Sequence, residues 1–415
     1  MQDDENETLF DDDDDDWTDD DWCSTFEYDE DTPPAPEAPE CVTEAIRRFA
    51  HASAPMFLTV DGNVNYSPAS LWTALALVAT GAAGETRREL ESMLGSADIG
   101  ADDLGLFRDA LNATRIHQIA DSLWVHDGIA LHEDWLDGMR RCAAEVFGHE
   151  PFDQSTGRRM SDWIDAHTHG MLKPEIDTNP DDVLVLIDAL VSNGRWLCTF
   201  DEQLTCPEMF HGVRGDTPTP MMHDVSTVTG YLRGDGWTKA TLPFSGYSGG
   251  VSVILPDDSM CLDRLLHDRL LLEDALDAPA ESSWRRLVDL SMPRFITDST
   301  FDAASLRMRL SAMGITRAFD PDLADFSDMS DNPLHIGQVI QETRMEVTEE
   351  GAKAAAYTMI RVLAAGAPPE PDTTVTVRVD RPFIYTLYAN LPGSSHTIPL
   401  FLGILRDPES PETEL

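Results

Sequence analysis

Basic residues are scarce in this chain. Only 29 Lys and Arg stand against 76 Asp and Glu in 415 residues, a formal net charge of -47. Duplex nucleic acid and anionic membrane surfaces would be repelled, so neither is expected as a partner. Cysteine is thin as well: Cys23, Cys41, Cys142, Cys198, Cys206 and Cys261 are scattered, without a C-x-x-C pair or a zinc-ligand spacing. The expectation is mostly buried free thiols, with no metal and no cofactor. Long apolar runs are missing: no window of about 18 apolar residues exists, so no membrane-spanning helix is expected. Residues 1–10, MQDDENETLF, have neither a basic n-region nor an apolar h-region, so no secretory signal is visible.

The acid is unevenly spread. Residues 1–40 hold 19 Asp or Glu and no Lys or Arg; the other 375 residues carry 57 acids against 29 bases. With DDDDDD at 11–16 and PPAPEAP at 33–39, residues 1–40 are expected to be a disordered acidic tail. It could be a solvated arm without a specific role, or a partner-binding arm using Trp17 and Trp22. The aspartates lack the alternation and glycine of a calcium loop.

A globular part is expected over 41–408, with a short tail at 409–415. The pattern SLWTALALVA predicts a helix at 70–79, and TRRELESML a second at 86–94, with Thr86 as N-cap and Gly95 closing it. Residues 131–147 and 158–171 also look helical. Thereafter LVLI (184–187), VSVIL (251–255), VDLSM (288–292), TVTVRV (374–379) and PFIYTLY (382–388) read as strands between Pro, Gly and Asp. Helices first and strands later indicate an α+β fold.

Catalytic motifs fare poorly. Gly246-Tyr247-Ser248-Gly249-Gly250 matches G-x-S-x-G, but a nucleophile elbow needs a helix after the serine, and VSVIL is a strand. A Gly-rich hairpin is expected there. His167 and His169 are two apart on a helical stretch, hence on different faces, and no H-E-x-x-H occurs.

Residues 349–366, EEGAKAAAYTMIRVLAAG, support two readings. Thr348 as cap, two glutamates in the first turn and a Gly-Ala-Pro stop suit a helix. At period two, however, Ala352, Ala354, Ala356, Thr358, Ile360, Val362 and Ala364 form an uncharged face, while Lys353, Tyr357 and Arg361 fall on the other. That is what a strand needs with one face on a core and the other in water.

Several blocks stand in order along the chain. They are Asn63-Val64-Asn65-Tyr66-Ser67-Pro68-Ala69-Ser70; Asp162-Trp163-Ile164; Leu184 to Trp196 with Phe200; and Leu242-Pro243-Phe244. Met292-Pro293-Arg294-Phe295, Ala324-Asp325-Phe326-Ser327, Glu346 to Gly351, Asp380-Arg381-Pro382-Phe383 and Pro399 to Gly403 follow. Together they resemble the serpin family, in a bacterial-type member, over roughly residues 41–408. The resemblance implies three β-sheets, about eight or nine helices and an exposed reactive-centre loop near 349–375. It implies an inhibitor and not an enzyme: a monomeric suicide substrate for a serine protease, acting outside the cell, with the cytoplasm as the alternative. The cleaved loop would insert into the main sheet and trap the acyl-enzyme. The hinge would be Glu349, Glu350, Gly351, Ala352, Ala354, Ala355, Ala356 and Thr358, and the sheet would open near Ser67, Ser70, Asp188 and Gln341. Asp188 and Gln341 stand where the family usually has Asn and His, and Ala352 where inhibitory members usually have Thr or Ser. The expected scissile bond is Ala365-Gly366, which suits an elastase-like or subtilisin-like protease; Arg361-Val362 is the rival. Two further functions stay open: a non-inhibitory chaperone or carrier whose loop is cut without trapping, and a hydrolase built on Ser248.

Overall fold

The computed structural model describes residues 35–408 apart from 96, 98, 143, 179–183, 259, 284, 338, 340 and 353–372. The chain divides into two units, Met1–Ala35 and Pro36–Leu415, and the second holds all the described elements. Chain packing begins earlier than residue 41: Ala38 is buried, and its N–H donates to the Pro392 carbonyl at 2.7 Å.

Among the described residues there are nine α-helices. They are α1 (Glu40–Leu58), α2 (Pro68–Ala79), α3 (Gly84–Leu94), α4 (Ala101–Ala113), α5 (Glu133–Arg141), α6 (Gln154–His167), α7 (Leu262–His267), α8 (Arg269–Asp277) and α9 (Ala303–Ala312). None is long and apolar enough to cross a membrane. The first strands are β1 (Val64–Tyr66), β2 (His117–His126), β3 (Glu145–Glu150), β4 (Leu184–Ser192) and β5 (Gly194–Arg195). Next come β6 (Cys206–Gly212), β7 (Gly215–Ser226), β8 (Gly230–Arg233), β9 (Trp237–Pro243), β10 (Gly249–Pro256), β11 (Arg286–Pro293) and β12 (Phe295–Phe301). The last are β13 (Gln341–Val347), β14 (Gly351–Ala352), β15 (Thr373–Arg378), β16 (Phe383–Ala389) and β17 (Ile398–Leu405).

A six-stranded sheet, β1-β17-β16-β10-β9-β8, forms the centre, and every residue of β10, β16 and β17 is buried. Helices α1 and α2 pack on β17. The inward stripe of α1, including Ile46, Phe49, Ala50 and Phe57, is fully buried, each large side chain contributing about 1.5–3 kcal/mol. A second sheet runs β15-β11-β7-β6. The remaining strands form one layer in two hydrogen-bonded parts, β3-β2-β4 and β12-β13-β14-β5, joined because β4 runs into β5 through Asn193 alone.

Two local expectations give way. Thr86 does not cap α3, which starts at Gly84 behind Ala83; the buried Thr86 hydroxyl instead accepts from the Asp325 N–H at 3.0 Å. The stretch from 145 to 147 is strand and not helix, because β3 pairs in parallel with β2 (Ser122↔Glu145), and that pairing overrides local propensity. Gly95 does close α3, in the left-handed conformation at φ 68°.

The cysteines differ from expectation too. Of the five described, only Cys142 is buried; Cys41, Cys198, Cys206 and Cys261 are exposed. Cys41 lies in the first turn of α1, Cys261 just ahead of α7 and Cys206 at the start of β6, where element ends meet solvent.

Candidate functional site

The densest constellation lies where the main layer meets the segment that begins at Thr348. A tight turn, with the Thr348 N–H donating to the Gly351 carbonyl at 3.0 Å, reverses the chain after β13. Gly351 and Ala352 then form β14, a two-residue strand wedged between β13 and β5. Its register is Val347↔Ala352 on one side, with Gly351↔Arg195 and Ala352↔Gly194 on the other.

Close backbone approach explains the two glycines. A Cβ on Gly351 would sit 2.2 Å from the Gly194 carbonyl oxygen, and one on Gly194 would meet the Phe244 ring at 2.3 Å. The turn itself is clamped from beneath. Trp196, stacked on Phe244 at 5.3 Å, donates its ring N–H to the Thr348 carbonyl (2.9 Å) and its backbone N–H to the Glu350 carbonyl (3.0 Å). Phe200 N–H reaches the Glu349 carbonyl at 3.0 Å.

Glu349 is buried, at 3% exposure, with Thr205 Oγ1 donating to its carboxylate at 2.7 Å and the Arg294 guanidinium paired to the same oxygen. Burial opposes its charge, but the hydrogen bonds from Arg294 and Thr205 outweigh that and hold its pKa below the usual carboxylate value. Arg294 belongs to a block noted in the sequence without a role. Thr205 sits in a loop, and nothing short-range marks it.

Below β14 the layer is not zipped. No ladder joins β4 to β13 among the described residues. Between 190–192 of β4 and 342–346 of β13 runs a narrow cleft of about 20 Å³, room for about one water. Ala352 closes one end, and Leu387 and Phe401 of the central sheet lie against it. Along β13 the side chains alternate: Gln341, Thr343, Met345 and Val347 are buried, while Glu342, Arg344 and Glu346 are half-buried. Ala352, opposite Val347, is 1% exposed. Ala354, Ala355, Ala356, Thr358, Arg361, Val362, Ala365 and Gly366 lie outside the described residues. The chain is next described at β15, which runs parallel to β11 in the second sheet (Arg286↔Thr373).

Deeper in the layer, the sequence-marked residues Ser67, Ser70 and Gln341 meet. Ser67 caps α2, its hydroxyl accepting from the Ser70 N–H at 3.1 Å and donating to the Leu400 carbonyl at 2.7 Å, with Pro68 preset for the first turn. Gln341 makes two reciprocal bonds to the Ser67 backbone, Nε2 to the carbonyl at 2.9 Å and Oε1 from the N–H at 3.1 Å.

Asp188 lies within reach of the Ser70 side chain, which opposes the rise of its pKa, and it also meets an acid that the sequence did not mark. It stands directly opposite Asp121 across the β2–β4 ladder, with both its carboxylate oxygens buried. Burial, and then the neighbouring Asp121 charge, raise the Asp188 pKa well above normal; burial also raises Asp121, to about 6. Sequence reading missed Asp121, because one acid in the alternating HQIADSLWVH says nothing about which acid it will face.

His117 was missed as well. It is fully buried at the start of β2; its Nε2 donates to the Ser248 carbonyl (3.2 Å), which leaves Nδ1 to accept from the Ser192 hydroxyl (2.9 Å). Burial lowers its pKa to about 4, so the ring is neutral. The G-x-S-x-G match falls in the connection between antiparallel β9 and β10 (Gly250↔Pro243), with Gly246 and Tyr247 at positive φ. Strand follows Ser248, as expected, and not the helix of a nucleophile elbow.

Comparison with known proteins agrees with this architecture. The family model described as Serpin (serine protease inhibitor) matches residues 44–408. Plasminogen activator inhibitor 1 of Sus scrofa is 28% identical over 374 residues, 84% of this chain and 87% of that protein. A serpin-like protein of Thermococcus kodakarensis is 27% identical over 382 residues, covering 89% of this chain and 86% of that one. Among solved structures, the thermophilic serpin Tengpin in its native state superposes with a TM-score of 0.72 at 26% identity, covering 88% of this chain and 94% of that one.

Proposed function

We propose that this chain, which belongs to the serpin family, inhibits a serine protease of elastase-like or subtilisin-like specificity as a suicide substrate. The observation that carries this reading is β14. Ala352 is already laddered between β5 and β13, at the end of a cleft that has no strand of its own among the described residues. Continuing both registers down the cleft sets Ala354 opposite Met345 and Ser192, Ala356 opposite Thr343 and Leu190, and Thr358 opposite Gln341 and Asp188. On insertion the uncharged face of the loop would fall in line with the buried face of β13, and the face with Lys353, Tyr357 and Arg361 would point to water.

The same register bears on the reactive bond. Extended to the far end of β4, it would set Leu184 opposite Val362. A protease serine that attacks the Ala365 carbonyl and expels the Gly366 amine would be acyl-linked beyond the end of that strand once the loop is inserted. Attack at Arg361 would leave the enzyme level with Val185, about four residues or 13 Å higher. Small Ala365 suits a shallow specificity pocket, as elastase-like and subtilisin-like enzymes have.

Mixing the protein with elastase, subtilisin and trypsin and running denaturing gels tests the proposal. A denaturation-resistant complex with the first two, and a released fragment beginning at Gly366 by mass spectrometry, is the expected result. A cut chain without complex would establish the non-inhibitory alternative, and a stable complex whose fragment begins at Val362 would move the bond to Arg361.

A further inference from the structure

Beyond the hinge, β6 and β7 bring three chemically different donors to one face of the second sheet. Cys206 and Glu208 are two apart on β6 and therefore share a face. Cys206 pairs with Met221 on β7, so His223, two residues on, falls on that face too. The Cys206 Sγ lies 3.7 Å from Glu208 Oε1 and 3.8 Å from His223 Nε2, and those last two atoms are 2.8 Å apart. A single point in the plane of these three atoms is about 2.0 Å from each. An ion slightly above the plane thus meets all three at the lengths zinc takes, about 2.0 Å to nitrogen and oxygen and 2.3 Å to sulfur.

We propose that Cys206, Glu208 and His223 form a site for a borderline-soft divalent metal ion of the Zn²⁺ class. The donor set selects the ion: a thiolate with an imidazole disfavours Mg²⁺ and Ca²⁺, which want oxygen throughout, and the carboxylate completes three corners of a tetrahedron. The fourth corner faces solvent, since Cys206 is exposed and Glu208 and His223 are only half-buried, so a water or an outside ligand takes it. The scaffold is rigid where it matters. His223 is held on β7, which is laddered on both sides, to β6 and to β11 (Ser291↔His223). On binding, the Cys206 thiol gives up its proton, and the proton held between His223 Nε2 and Glu208 Oε1 moves to Nδ1 or is released, so that bonds from the metal to sulfur, nitrogen and oxygen replace both. Sequence spacing hides the site because its ligands lie across a hairpin, Cys-x-Glu on one strand and His fifteen residues later on the next. The neighbouring residue Thr205 bonds Glu349, so the metal would fix the start of the strand next to the hinge carboxylate's anchor.

Cobalt titration tests this on the full-length protein, reduced with a non-chelating phosphine at neutral pH. One equivalent of Co²⁺ is expected to produce a thiolate-to-cobalt charge-transfer band in the near ultraviolet, and Zn²⁺ to remove it. Cys206→Ser should abolish the band. His223→Ala should weaken binding at least about tenfold, since even outer-shell partners of a metal site are worth about 10–100-fold. The acidic tail carries Cys23 beside its carboxylates, so Cys23→Ser serves as a control that should keep the band. Cys206→Ser, a one-atom change at an exposed position, keeps the experiment interpretable should His223→Ala misfold. Absence of the band in the parent protein, a band that survives Cys206→Ser, or undiminished cobalt affinity in a folded His223→Ala variant overturns the site. None of these readouts involves protease inhibition.

Discussion

Asp188 shows how one side chain can set the pH response of a sheet. Its folded pKa is raised, so the native protein holds a proton there that the unfolded chain releases near the ordinary carboxylate value. The contribution of the Asp121–Asp188 pair to stability therefore falls as pH rises above about 4 and is least favourable once both are ionised. Buried His117 acts in the opposite sense. With a folded pKa of about 4 against an unfolded 6.5, its contribution is lost as pH falls through that interval. Asp188→Asn removes the first effect and leaves the second. The variant should be more stable than the parent at pH 8 by about 1–3 kcal/mol, with the difference shrinking towards pH 4–5. Urea or thermal unfolding at several pH values measures this, and parallel pH profiles would show that the two carboxyls do not share their burial.

At the scale of elements, β14 is too short to be stable alone. It persists because Gly351 lets two backbones meet, because Trp196 and Phe200 hold the carbonyls of its turn, and because Glu349 is paired below it. On the proposed insertion, its register would continue into the residues that follow and assign their faces. Ala354→Arg or Ala356→Arg would force a guanidinium into the buried row beside Met345 or Thr343, at a cost of several kcal/mol. Ala355→Arg would place the same charge in water. The first two variants should be cut yet fail to form the stable protease complex, and the third should trap normally, by the same gel assay. Equal trapping by all three would refute this register.

For the whole molecule, the loop is tied at both ends, at β14 in the main layer and at β15 in the second sheet. On the proposed mechanism an intact tether would restrain the segment between them from entering the main layer as a strand, whereas a cut would free one end. Nicking within 353–372 should raise the unfolding temperature by tens of degrees, on the order of 5 kcal/mol or more. Differential scanning calorimetry of intact and nicked protein decides this, and equal transitions would remove stored energy from the account.

Much of this was legible from sequence alone. Short apolar or alternating runs marked β10, β11 and β16, Gly95 marked the end of α3, and the blocks from Asn63 to Gly403, through the family they resemble, singled out Ser67, Gln341 and Gly351. These signals are local: an alternation, a cap or a small residue acts within a few neighbours along the chain. The α1 start before Cys41, the strand at 145–147, the Asp121–Asp188 pair, the Thr205–Glu349–Arg294 anchor and the Cys206–Glu208–His223 triad were decided by tertiary structure. Each joins residues on different strands or loops, and only ladder register and burial determine which side chains face one another and how far water is kept from them.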